Sequence, residues 1–226
     1  MNKHSFEVLH EQFLSKFKIG RGPGEARFGA ATTYVKSTQQ FMLTTYETST
    51  SVRVKEALIG LTGDKASRDY EVGWVTSRYA NADFEYNSFP NRKKYLIVFF
   101  SRNEGFINVD RRSVAMETKE RGITTFVIPF GQAVAKEVAE LVLDNDDNIY
   151  KITSLGALEQ SMVLARMAER IKSEGCPVGG RGFSTVQERT SSRSTTTLFM
   201  ILSSHHLAQL LRYFMQGVSV SSELNL

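Results

Sequence analysis

The chain has 226 residues, 41% of them hydrophobic and 23% charged, enough for one α/β domain with a filled core and an extension. Its net charge of +4 is spread along the chain with no Lys/Arg run, which argues against a nucleic-acid-binding arm. The single cysteine, Cys176, excludes an internal disulfide; no apolar run nears the roughly 18 residues that span a membrane, and the first residues lack the apolar stretch of a signal peptide.

Residues 3–18 carry Phe6, Leu9, Phe13 and Phe17 at three- and four-residue spacing, which predicts an amphipathic helix. Gly20-Arg-Gly-Pro-Gly24 alternates glycines like a phosphate loop. It follows a helix and opens a strand, the reverse of the order that aims helix N–H groups at an anion, so it reads as a turn. Residues 27–35 read as a strand, and residues 40–43 as a short edge strand antiparallel to it. Residues 48–61 read as a helix capped by Thr50 or Ser51, with Val54, Leu58 and Leu61 inward. A polar loop follows at 63–69. Residues 70–84 form the next helix, with Trp74, the one tryptophan, read as a core anchor.

Tyr95-Leu-Ile-Val-Phe-Phe100 is a continuous apolar run, too short for a helix, as a strand buried on both faces reads. Val109, Arg112, Met116 and Lys119 then recur at helical spacing. Gly122 stands where a helix C-terminus wants positive φ, and residues 124–128 are a second apolar strand. Strand, helix, strand over this distance is a βαβ unit with parallel strands and a right-handed crossover. Residues 133–143 read as a helix and 149–152 as the last strand. Ser154 then caps a final helix with Leu155, Leu158, Met162 and Ala165 as its inner stripe. Asp144-Asn-Asp-Asp-Asn148 lacks the Gly and Glu of an EF-hand loop and reads as a solvated turn.

Beyond residue 172 the composition shifts. Between residues 184 and 204, 11 of 21 residues are Ser or Thr, which reads as linker. Thr197-Leu-Phe-Met-Ile-Leu-Ser-Ser204 then reads as a strand and residues 205–215 as a helix. The domains expected are therefore 1–172 and a linker and tail at 173–226.

Lys94-Tyr-Leu-Ile-Val-Phe-Phe-Ser-Arg102 and Glu117-Thr-Lys-Glu-Arg-Gly-Ile-Thr-Thr-Phe-Val-Ile-Pro-Phe-Gly131 resemble the fourth- and fifth-strand motifs of von Willebrand factor type A domains. The flavour is that of extracellular-matrix members such as matrilins, cochlin and collagens. The resemblance implies an α/β, Rossmann-like, doubly wound and mostly parallel sheet with one antiparallel edge. It also implies that the first central strand is missing, because nothing but Met1 precedes the first helix; the chain looks truncated at its N-terminus. Three readings of the late strand compete: an unrelated or splice-derived tail, the start of a second such domain, or a substitute for the missing strand. The first is preferred, because the Asp that should precede Ser203 is absent.

In that family a metal-ion-dependent adhesion site, or MIDAS, takes oxygen ligands from Asp-x-Ser-x-Ser, a Thr and an Asp. Here the first motif is absent, Arg68 stands near the Thr position, and Ser101 replaces the Asp. A neutral hydroxyl cannot supply the carboxylate that a hard cation wants, so the site is degenerate and no metal or other cofactor is expected. Nor does an enzyme emerge. His4, His10, His205 and His206 lie away from the expected strand ends, Cys176 has no His partner, and Ser101 with Glu104 reads as the start of a helix. The expected function is a protein-binding adhesion module, metal-independent, extracellular, with matrix proteins as partners and no nucleic acid or membrane insertion. Contacts would come from Ser67, Arg68, Asp69, Ser101, Arg102, Asn103 and Glu104. Cys176 would be free for an intermolecular disulfide. The alternatives are a fragment without binding activity of its own and, behind it, a small-molecule enzyme on a Rossmann-like sheet.

Overall fold

The computed structural model describes residues 3–20, 25–32, 40–41, 43, 50–60, 72–87, 92–101, 109–131, 133–154, 157–175 and 196–202. Five strands, β1 (Arg27–Thr32), β2 (Gln40–Phe41), β3 (Lys93–Phe100), β4 (Ile123–Pro129) and β5 (Thr196–Leu202), form one sheet in the order β2-β1-β5-β3-β4. β2 is antiparallel to β1 and every other pairing is parallel, as the sequence predicts.

The apolar run of β3 shows why the sheet is covered on both sides. Tyr95, Ile97 and Phe99 enter one core and Leu96, Val98 and Phe100 the other. The first core is closed by α1 (Lys3–Gln12), α2 (Ser51–Gly60), α7 (Leu158–Ser161) and α8 (Val163–Gly175). The second is closed by α3 (Val72–Val75), a π-helical stretch at Thr76–Asn81, α4 (Ala82–Asn87), α5 (Arg111–Glu120) and α6 (Ala135–Leu141). A strand buried on both faces cannot alternate with polar residues, and this one does not.

β5 corrects the preferred reading of residues 197–202 as an unrelated tail. It lies between β1 and β3, with Arg27 opposite Thr197, Thr32 opposite Leu202, Tyr95 opposite Leu198 and Phe99 opposite Leu202. Leu198, Met200 and Ile201 are fully buried. The sheet therefore has its central strand, and the third reading, a substitute, describes the structure. Two parallel edges one strand apart offer rows of N–H and C=O groups that must be paired, and an apolar strand pairs both at once.

Local signals explain most boundaries. Thr50 caps α2, its Oγ1 accepting from the Arg53 N–H at 3.2 Å. Asp110 caps α5, accepting from the N–H groups of Arg112 and Ser113. α5 ends at Gly122, with φ +71°, whose N–H donates to Lys119 at 2.9 Å. Residues 149–152 do not form the expected strand: Ile149 makes one parallel bridge to Val127, and the Tyr150 N–H donates to the Val127 carbonyl at 2.8 Å. The acidic segment before it is a turn of 3₁₀ helix at Asp146–Asn148 with Asp146 and Asp147 exposed.

The final helix is broken where one was expected. Met162 takes left-handed angles, φ 52° and ψ 18°, between α7 and α8. The break resets the helical phase, so Val163, Leu164, Met167, Ala168 and Ile171 face the core while Met162 is exposed and Ala165 only half-buried. A left-handed non-glycine residue costs about 1–2 kcal/mol. Part of that is offset in the unfolded chain by the greater freedom of glycine. Met162→Gly is expected to stabilise the fold by about 0.5–1 kcal/mol, seen as a higher urea midpoint; a lower midpoint would mean that the Met162 side chain contributes more than the strain.

On the α8 face, Tyr95 stacks on Phe126 with centroids 5.8 Å apart, and its hydroxyl donates to Glu174 at 3.2 Å. Burial first, and the neighbouring Glu174 carboxylate second, hold the Tyr95 phenol well above its ordinary pKa. Because the folded value is raised, the stability linked to this group is complete below about pH 10, the unfolded value, and falls as pH climbs beyond it. Unfolding free energy measured from pH 8 to 11 should therefore drop more steeply for the wild type than for Tyr95→Phe, and parallel curves would remove Tyr95 as the source.

Candidate functional site

In open parallel sheets, ligands meet the loops beyond the carboxyl ends of the strands. Here that rim comprises Thr32 of β1, Leu202 of β5, Ser101 just past β3, and Pro129 and Phe130 at the end of β4. Register sets them side by side: Thr32 and Phe99 flank Leu202, and Phe100 lies opposite Pro129. The Phe130 N–H donates to the Phe100 carbonyl at 2.9 Å, carrying the β3–β4 pairing one residue past β4.

Ser101 is the one expected contact residue among those described, and it is fully buried with a bonded partner. It offers no carboxylate and no solvent-facing oxygen, so it does not fit the role of a hard-cation ligand. Ser67, Arg68, Asp69, Arg102, Asn103 and Glu104 lie outside the described residues. Among the described residues, no three His, Cys, Asp or Glu side chains converge as a metal cluster, and no helix is long and apolar enough to cross a membrane.

A cleft of about 320 Å³ opens on the same rim beside β4, which sequence reasoning missed. Pro129, Phe130 and Val138 line it on one side and Lys151, Ile152 and Thr153 on the other. It exists because the 149–153 segment leaves the sheet after one bridge instead of running on as a strand. The Val-Ile-Pro-Phe sequence held a partial signal: Pro129 has no N–H to give a further strand. Trp74, expected as a core anchor, is half-buried, edge-on to Tyr79 at 5.7 Å and packed against the second core.

An open, mostly parallel α/β sheet wrapped on both faces defines a doubly wound domain. The chain matches the von Willebrand factor type A domain over residues 7–163 and belongs to that family, whose members are in general protein-interaction modules. Among solved structures it is similar to proximal thread matrix protein 1 from the mussel byssus, at 17% identity with a TM-score of 0.54, covering 73% of this chain and 42% of that one. It is similar as well to the same mussel protein with a zinc-occupied MIDAS motif, at 16% identity with a TM-score of 0.55, covering 76% and 43%. The chain thus spans less than half the length of these neighbours, and at such identity the likeness shows the shared fold. No curated protein matches the chain.

Proposed function

We propose that this domain is a protein-binding adhesion module of an extracellular-matrix-like protein, and that it binds without a metal. The observation that carries this reading is Ser101: where the family resemblance places an aspartate at the carboxyl end of the strand, this chain has a buried, neutral hydroxyl. Arg68 adds positive charge where the resemblance places a threonine ligand. Mg²⁺ keeps near-octahedral oxygen geometry and draws on carboxylates, and neither position supplies one. Partner contacts fall to ordinary side chains, those of Ser67, Arg68, Asp69, Arg102, Asn103 and Glu104, with the cleft beside β4 as the apolar part. The mussel byssus neighbour, a thread matrix protein by name, supports the extracellular setting, where Cys176 is free to bridge to a second chain. The family supports a binding rather than an enzymatic role.

Capture of matrix proteins by the immobilised chain, with and without EDTA, tests this. Equal capture in both buffers is expected, and loss of capture in EDTA would mean that a cation is held despite Ser101. Capture of nothing in either buffer would remove the adhesion reading.

A further inference from the structure

We infer that β5 is an exchangeable strand, and that at high concentration two copies of the chain swap it, each sheet being completed by the Thr196–Leu202 strand of the other copy. The inference rests on the topology and is independent of the adhesion reading. β5 is the last described element in the chain, yet it sits at the centre of the sheet. It joins the preceding described element, α8, through residues 176–195, a span of 20 residues. The distance to be covered within one copy is short. Glu174, at the end of α8, accepts from the Tyr95 hydroxyl at 3.2 Å, and Tyr95 is opposite Leu198 near the start of β5. Returning to the slot therefore takes on the order of 10–15 Å, two or three strand spacings, whereas 20 extended residues reach about 66 Å. The same span reaches the slot of a neighbouring copy.

Closed and exchanged forms make the same β1–β5 and β3–β5 pairings and bury the same Leu198, Met200 and Ile201. Their balance is then set by concentration and not by contacts. A connection of 20 residues gives an intramolecular effective concentration of order mM, so the closed form holds at micromolar concentration and exchange competes near millimolar. An open copy leaves both edges of the slot unpaired, so exchange passes through an unfolded chain and the exchanged dimer persists on dilution.

Ala30 and Met200 are register partners on β1 and β5 and face the same core. Adjacent strands lie about 4.8 Å apart, within the Cα range that a disulfide spans. The test uses the full chain with Cys176→Ser, Ala30→Cys and Met200→Cys, unfolded in denaturant, refolded at about 1 µM and about 1 mM to bracket the effective concentration, oxidised and run on a non-reducing gel. A disulfide at monomer mass is expected from dilute refolding and a disulfide-linked dimer from concentrated refolding. Monomer-mass disulfides at both concentrations would overturn the inference. Should that variant not refold, light scattering on the unaltered chain in reductant replaces the gel. A dimer formed only at the higher concentration and surviving thousandfold dilution supports exchange, and a monomer at both overturns it.

Discussion

Ending the chain at residue 195 is expected to abolish its cooperative unfolding. Without β5, β1 and β3 stand about 10 Å apart, twice the strand spacing, with two central rows of backbone groups unpaired. Leu198, Met200 and Ile201 are fully buried, and losing three such side chains removes about 5–9 kcal/mol. Each buried backbone group left without a partner costs about 1–3 kcal/mol more. A domain stability of about 5–15 kcal/mol does not withstand that sum. Urea unfolding followed by Trp74 fluorescence and far-UV circular dichroism gives the readout. The full chain should show one transition that both probes share, and the shortened chain a broad slope or none. A milder change separates strand loss from cavity formation: Met200→Ala should keep the single transition and lose about 2–5 kcal/mol. If the shortened chain unfolded as sharply as the full one, the sheet would close without β5, and its central placement would contribute little.

Phe126→Ala should be the most costly single core substitution, at about 3–5 kcal/mol. Phe126 is fully buried in β4 and ties three elements together. Tyr95 of β3 stacks on it, Tyr150 meets it edge-on at 5.6 Å, and the Arg170 guanidinium of α8 lies 4.9 Å from its centroid. Arg170 is itself held in place, donating to the Asp147 carbonyl at 2.6 Å, the Asn148 Oδ1 at 3.0 Å and the Glu174 carboxylate at 2.8 Å. Arg170→Ala loses these charge-assisted bonds and should cost about 1.5–3 kcal/mol. The two changes share one contact, so the double variant should fall short of the summed losses by about 0.5–2 kcal/mol. Strict additivity would mean that the guanidinium is fixed by its hydrogen bonds alone and gains nothing from the ring.

The βαβ unit around β3 and β4 was legible in the residues because its signals are local. Six consecutive apolar residues, a helical repeat and a glycine at a helix end each state their conformation without reference to distant chain. The resemblance rested on the same stretch, and the family held. Ser101 was read from the sequence as a missing carboxylate. Its burial was not, because burial depends on what packs over the end of the strand. The final helix failed in phase for a similar reason: nothing in Glu159-Gln-Ser-Met162 announces a left-handed residue, and a break of one position moves every later side chain around the axis.

Residues 196–202 mark the division most clearly. Their composition determined that they form a strand, since a run of β-branched and apolar residues of that length has little other use. It did not determine where. Strand pairing is non-local, and a strand carries on its own face no statement of which edges it will join. That choice belonged to the two edges of β1 and β3, both buried and both in need of a partner, and only the assembled sheet presents them together. The sequence by itself determined the βαβ unit around β3 and β4, its apolar faces and the serine that stands where the resemblance places an aspartate. The tertiary structure decided that the last strand in the chain is the central one in the sheet, because unpaired backbone in a core costs more than the closure of a long loop.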